Sequence, residues 1–191
     1  MRFAPTPDQI EFAEAVAGLL GDICTPEAVR DAWGGEVGAH TGLGSGSGRI
    51  PTAWNALTEM GVLGLMVPES AGGLGMSDDD LVGIAIECGR AGLPDPLVPT
   101  AGVAAAALSS LEDSHGWLER IASGSAVVVG FGDDPLVASA TSADGFLLFG
   151  HDPVSGKGDH WVGVLEADAV TVEPLESVDG SRALGGLEYD R

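Results

Sequence analysis

The segment from Glu59 to Ser77 constrains the fold more than any other part of the chain. It leaves a helical pattern, passes through an extended run that ends at Pro68, and enters the glycine-dense turn 72–75 before a capped helix. Because Pro68 disfavours the α conformation at Val67, the preceding helix ends before that point. Glycines suit positions where φ is positive or where two backbones lie close together. The segment therefore predicts a helix–loop–helix corner with a tightly packed loop, and it is not a catalytic motif.

Helix-start signals precede most of the apolar segments with helical spacing. Thr6, Pro7 and Gln9 provide an N-cap, a proline in the first turn and a capping-box residue. Ser77 and Asp80 form a similar pair, with Asp in place of the usual Glu or Gln. The predicted helices cover residues 7–23, 26–33, 51–60, 78–90, 100–111 and 115–123, and Thr100 is the predicted N-cap of the fifth. The first two-thirds of the chain is thus predicted to be helical.

From Ser125 onward the pattern changes to short β-type runs broken by Gly, Pro and Asp. The predicted strands are 126–129, 145–149, 161–165, 169–172 and 186–189. Helices followed by strands favour a segregated α+β fold, with an all-α domain at 1–124 and a small antiparallel β-barrel or sandwich at 125–191. Residues 34–48 contain seven glycines in fifteen positions, which indicates a flexible loop within the helical domain.

Composition excludes several classes of function. The chain has 8 Lys and Arg against 29 Asp and Glu, a net charge of −21, which argues against a nucleic-acid partner. No apolar run approaches the ~20 residues that span a bilayer, and the N-terminus lacks a secretory pattern, so we expect a cytoplasmic protein without membrane contact. Cys24 and Cys88 are expected to be buried, reduced thiols. No histidine has ligand spacing with either cysteine, so no metal site is predicted.

Four segments in the same order resemble the N-terminal helical domain of the acyl-CoA dehydrogenases. They are the opening helix 8–12, the corner 59–77, the helix end 86–92 and the segment 117–124 that leads into the β domain. The resemblance implies a helical domain followed by a shortened middle β domain. The sequence ends at Arg191, where the β domain of the family would finish, so the family's C-terminal helical bundle is expected to be absent.

The resemblance also implies the chemistry and the place where it occurs. The family abstracts the α-proton of a CoA thioester with a carboxylate on the C-terminal bundle, and the β-hydrogen leaves as hydride to the flavin. No catalytic residue is therefore assigned to this chain. Phe131, Gly132 and Asp133 match the loop beside the flavin and are the predicted cofactor contacts. However, Asp133-Asp134-Pro135 replaces the usual Thr-Glu-Pro, and an ionised Asp133 cannot donate a hydrogen bond to the flavin as threonine does.

These features resemble the degenerate subunit of the heteromeric acyl-CoA dehydrogenases that act in steroid degradation. The expected partner is a paralogous subunit in a heterotetramer, which would hold most of the FAD and supply the base. The reaction would be α,β-dehydrogenation of a CoA thioester in lipid metabolism, with a steroid side chain as a candidate acyl group. Three alternatives stay open: a fragment of a full-length active dehydrogenase, a non-catalytic scaffold on the same fold, and a flavin monooxygenase on that fold.

Overall fold

A computed structural model describes residues 4–33, 47–111, 116–130, 136–151 and 160–189. Most of the predicted flexible loop 34–48 lies outside these residues. The α-helices are α1 Pro7–Ile23, α2 Pro26–Trp33, α3 Pro51–Glu59, α4 Asp78–Arg90, α5 Ala105–Ser109 and α6 Trp117–Ala122, and a π-helix, Val98–Ala104, leads into α5. The described strands are β1 Val128–Val129, β2 Leu136–Val137, β3 Gly145–His151, β4 His160–Glu166, β5 Thr171–Pro174 and β6 Gly185–Glu188.

The predicted order of helices followed by strands is confirmed, and each predicted strand overlaps an observed one. The described strands form two three-stranded sheets with the orders β1-β3-β4 and β2-β6-β5. The second sheet is antiparallel as predicted, but β1 pairs in parallel with β3, so the first sheet is mixed. A parallel pair needs a connection of about a dozen residues or more, which residues 130–144 supply. Within the described residues the two sheets do not close into a barrel.

The corner 59–77, which precedes α4, is tightly packed as predicted. The conformation of its first part, before Pro68, differs from the prediction. Gly72 and Gly75 have positive φ values of 80° and 62°. A Cβ on Gly73 would lie 2.5 Å from the carbonyl carbon of Val67, so this position requires close backbone approach. The run before Pro68 is a turn rather than an extended segment, because the Val67 N–H donates to the Gly64 carbonyl over 3.1 Å. The corner therefore has a structural role.

Helix α1 packs against α4 through a polar contact at their N-terminal ends. The Asp80 carboxylate accepts hydrogen bonds from the Gln9 side chain over 2.8 Å, and from the N–H and hydroxyl of Ser77 over 2.9 Å each. These hydrogen bonds lower the pKa of Asp80 below the usual carboxyl range. The bond from Gln9 has the largest effect, and the bond from the Ser77 N–H follows. The predicted capping pair thus also joins two helices.

We expect Asp80→Asn to lower the free energy of unfolding at neutral pH. A carboxyl with a lowered folded-state pKa stabilises the fold above its unfolded-state pKa, and this contribution disappears as the pH falls through the folded-state pKa. The difference between the variant and the parent should therefore shrink between about pH 5 and pH 2, as measured by urea denaturation. Asp79→Asn removes a carboxylate from the same turn without removing the Gln9 and Ser77 bonds. An equal pH dependence in both variants would contradict this assignment.

The helical and β regions share their hydrophobic cores. One cluster contains Leu20, Leu57 and Trp54 from the helices together with Phe146 from β3, and a second joins Trp117 of α6 to strands β1 and β3. The Trp54 indole N–H donates to the Gly124 carbonyl over 2.9 Å, at the predicted boundary between domains 1–124 and 125–191. That division into two domains stays a prediction, since side chains from both parts complete each cluster.

Candidate functional site

The predicted cofactor contacts Phe131, Gly132 and Asp133 lie outside the described residues, and their role stays a prediction. The described residues on either side of this loop, Gly130 and Leu136, both line a cavity of about 410 Å³. This volume is within the range of small-molecule sites, ~300–1,000 Å³. A cavity of suitable size is therefore lined by the described residues that come before and after positions 131–135 in the sequence.

Four separate segments form the described walls of the cavity. Pro99 comes from the π-helix, Val129 from β1 with Gly130 just after it, Leu136 and Val137 from β2 with Ala138 just after it, and Arg182 and Leu184 from a 3₁₀ turn and the residues that follow it. Seven of the eight described lining residues are nonpolar, and Arg182 is the exception. The lining contains neither a carboxylate nor a histidine among the described residues, so it offers surface for an apolar or aromatic group and no general base.

Thr100 holds the π-helix against β1 at the edge of this cavity. Its side chain is fully buried, and its hydroxyl both donates to the Val128 carbonyl over 3.0 Å and accepts from the Val128 N–H over 3.2 Å. Both backbone groups of one strand residue are thus satisfied by a single side chain. The prediction that Thr100 caps a helix is wrong, because the helical segment begins at Val98. The two hydrogen bonds between Thr100 and Val128 hold the neighbouring residues Pro99 and Val129 together. Turns of π-helix occur often at functional sites.

Two non-glycine residues of the described chain have positive φ, and both adjoin the cavity. Ser139, with φ 60°, follows the lining residue Ala138, and Ala183, with φ 41°, lies between Arg182 and Leu184. The Ser139 N–H donates to the Arg182 carbonyl over 2.6 Å, which joins the two sites. A left-handed conformation costs a residue with a Cβ roughly 1–2 kcal/mol, and such strain concentrates at functional sites. The backbone at this rim is therefore held in place by its surroundings.

The two thiols are buried as predicted, and neither is activated. Burial raises the pKa of Cys88 to about 12 and also raises the pKa of Cys24. A reactive cysteine needs a lowered pKa and partial exposure, so neither thiol suits nucleophilic catalysis. In the part of the chain that the structure describes, no group of three His, Cys, Asp or Glu residues could hold a metal ion. None of the described helices is long and apolar enough to span a membrane.

Nothing in the sequence indicated that Pro99 and Arg182 line a cavity or that Thr100 binds β1 beside it. Pro99 lies in the first turn of the π-helix, just before the predicted helix start at Thr100, and a proline is typical of that position. Neither Thr100 nor Arg182 has a local signal, because each acts through residues far away in sequence: Thr100 contacts Val128, and Arg182 reaches the cavity through the turn before β6.

The comparison with curated proteins finds acyl-CoA dehydrogenases. The chain is 27% identical over 187 residues to the acyl-CoA dehydrogenase IpdE2 of Mycobacterium tuberculosis, an alignment that covers 97% of this chain and 52% of that protein. The chain thus spans about half the length of this relative.

Solved structures show the same fold. The complex of ChsE4 and ChsE5 from Mycobacterium tuberculosis matches with a TM-score of 0.77 and 21% identity, over 100% of this chain and 56% of that one. A variant of the Tcur3481–Tcur3483 steroid acyl-CoA dehydrogenase also matches with a TM-score of 0.77, at 23% identity, over 96% of this chain and 55% of that one. At these identities the likeness establishes the fold.

The family model for the acyl-CoA dehydrogenase N-terminal domain matches residues 6–125. The match runs from the cap of α1 to the residues just before β1 and covers most of the chain, including all the described α-helices. The four segments that suggested the family from sequence lie within it. The chain belongs to the acyl-CoA dehydrogenase family.

Proposed function

We propose that this chain is a subunit of a heteromeric, FAD-dependent acyl-CoA dehydrogenase of the cytoplasm. The observation that carries the proposal is the position of the cavity, which lies at the end of β1 and is lined by Gly130 and Leu136, the described residues before and after positions 131–135 in the sequence. Residues 131–133 of that stretch resemble the family's flavin loop. The reaction of the assembly would be α,β-dehydrogenation of a CoA thioester. FAD, when bound, would supply the hydride acceptor, and electrons would pass on to a flavoprotein carrier.

The described residues of the cavity fit part of such a site. Nonpolar walls from Pro99, Val129 and Leu184 can cover an aromatic ring or an acyl chain and exclude water from it. A Cβ on Gly130 would have no neighbour closer than 3.6 Å, so the glycine leaves room in the wall and is required by its φ of 90°. This chain would orient and cover the ligand, while a partner would hold most of the FAD.

The catalytic base would come from the paralogous partner. Removal of the α-proton needs a carboxylate or a comparable group within hydrogen-bond reach of it, and the described lining of this cavity provides none. Two solved relatives, ChsE4–ChsE5 and Tcur3481–Tcur3483, are themselves named as pairs of proteins. The description of the second as a steroid dehydrogenase supports a steroid side chain as the acyl group.

The chain spans about half of IpdE2, which supports a second candidate. In this alternative the chain is a piece of a full-length dehydrogenase that carries its own catalytic base. The intact mass of the natural gene product separates the two. A mass near 19.2 kDa would contradict the fragment hypothesis.

Co-expression with a paralogous dehydrogenase subunit from a neighbouring gene tests the proposed function. We expect the two chains to purify together through a tag on this one, to show the absorbance of bound flavin, and to reduce an electron acceptor with a steroid-type acyl-CoA. Each chain alone should be inactive. A colourless complex, or one that is inactive with acyl-CoA thioesters of every chain length and ring type, would contradict the proposal and favour a scaffold.

A further inference from the structure

Arg182 differs from most of the other cations that the structure describes. Three arginines have carboxylate partners: Arg49 pairs with Asp95, Arg90 with Glu87 and Arg120 with Glu166. Arg30, like Arg182, has no ion pair within the described residues, but it does not line the cavity. Arg182 is exposed, has no ion pair within the described residues, and is the only charged residue in the described part of the cavity lining. In a chain with 29 acidic residues, an arginine that has no carboxylate partner among the described residues and lies beside nonpolar lining provides a local site of positive charge.

The backbone around Arg182 is fixed by hydrogen bonds and includes strained residues. The Asp179 carboxylate accepts from the Ser181 N–H over 3.1 Å at the start of the turn, and the Arg182 carbonyl accepts from Ser139. Ala183, the next residue, has positive φ without being glycine. Ser139 and Ala183 are the only non-glycine residues of the described chain with positive φ. The hydrogen bond from the Ser139 N–H ends on the carbonyl of Arg182, the residue just before Ala183. Strain of this kind persists where the surroundings fix a particular geometry, as at ligand sites.

We propose that Arg182 binds an oxyanion of a ligand whose nonpolar part occupies the cavity. The ligand class is an aromatic or acyl compound that carries a phosphate or a carboxylate, since the guanidinium group binds both through paired hydrogen bonds. The chain carries a net charge of −21 and therefore repels anions, so a ligand of this class needs a local cation at its binding site. The inference uses the same cavity as the proposed function and deepens it, because it names the group on this chain that contacts the charged part of a ligand.

Binding of matched pairs of probes tests this inference directly. FMN and riboflavin share a ring system and differ by one phosphate, and octanoate and octanol differ in their carboxylate. We expect Arg182→Gln to weaken binding of at least one anionic probe about fivefold, a size typical of a partly exposed charged contact, while the neutral member of that pair changes less than about twofold. Fluorescence titration measures the flavins and calorimetry the aliphatic pair.

Two further variants make the result specific. Arg90→Gln removes an arginine from the exposed end of α4, away from the cavity, and should leave every affinity unchanged. Arg182→Lys keeps the charge and should retain part of the binding, which separates loss of charge from loss of fold. Thermal denaturation should show that all three variants fold. A loss confined to FMN assigns a phosphate, and a loss confined to octanoate assigns a carboxylate.

Two results would overturn the inference: equal binding of both anionic probes to Arg182→Gln and Arg90→Gln, or no binding of either probe to the parent chain. Failure of the proposed function would look different. In that case Arg182-dependent binding would persist in this chain, while the complex with the paralogous subunit would not oxidise any acyl-CoA. Conversely, an active complex whose ligand affinities ignore Arg182 would leave the proposed function in place without this contact.

Discussion

Gly73→Ala is expected to destabilise the protein by about 3 kcal/mol, the upper range for inserting a methyl group into a packed site. The new Cβ would lie 2.5 Å from both the carbonyl carbon and the Cβ of Val67, and it would collide with the Val67 carbonyl oxygen. That oxygen accepts the Gly75 N–H over 2.8 Å, so it cannot move away without breaking the turn. Urea denaturation followed by far-UV circular dichroism measures the loss.

Gly18→Ala is the matched control for this substitution. Gly18 lies within α1, and a Cβ at this position would have no neighbour within 4 Å. Because alanine is the better helix former, the control should be more stable than the parent, by about 0.5–1 kcal/mol. The same chemical change would then have opposite signs at the two sites. If Gly73→Ala unfolded at the same urea concentration as the parent chain, the close approach of the corner to Val67 would be wrong.

Asp95→Ala is expected to cost about 3–5 kcal/mol, the range for breaking a buried ion pair. The Asp95 side chain is fully buried, pairs with Arg49 and accepts from the Ile50 N–H over 2.7 Å. Its loss leaves that N–H without an acceptor and leaves the Arg49 guanidinium, 4.4 Å from the centre of the Trp54 ring, without a counter-charge. Urea denaturation of the parent and the variant gives the difference in unfolding free energy.

Glu87→Ala provides the comparison, because Glu87 pairs with Arg90, whose side chain is 71% exposed. Removal of this surface pair should change the stability by less than about 1 kcal/mol. Burial raises the pKa of Asp95, which shows that desolvation opposes the charged form. We therefore expect the double variant Arg49→Met/Asp95→Leu to recover much of the loss, as replacement of a buried pair by apolar residues often does. Equal losses in Asp95→Ala and Glu87→Ala would contradict the assigned burial.

Local signals located the helices well. Thr6 accepts from the Gln9 N–H over 3.2 Å, so the predicted cap of α1 forms in the structure, and Thr25 accepts from the Ala28 N–H over the same distance at the start of α2. Such signals act over three or four residues and can be identified from sequence alone. The helix boundaries of the N-terminal region followed from them.

The β region was less predictable, because its pairing depends on contacts far apart in sequence. Strand β2 has only two residues and follows Asp133-Asp134-Pro135, so no alternating pattern marks it. The parallel pairing of Val128 with Gly145 has no sequence signal either. Positive φ at Ser139 and Ala183 is also unmarked, since glycine and asparagine are the residues that usually indicate it. The cavity is formed by these same segments, which explains why most of its lining was missed.

The two shared hydrophobic clusters have a consequence for cooperativity. Trp117 packs its ring where a Cβ on Gly145 would be, and the Thr100 hydroxyl replaces a strand partner for Val128, so β1 and β3 are completed by helical residues. A two-residue strand has little stability of its own. We therefore expect helices and sheets to unfold in one transition, as a single foldon. Damage to the helical part would then also disrupt the cavity wall, although none of the α-helices contributes a residue to its described lining.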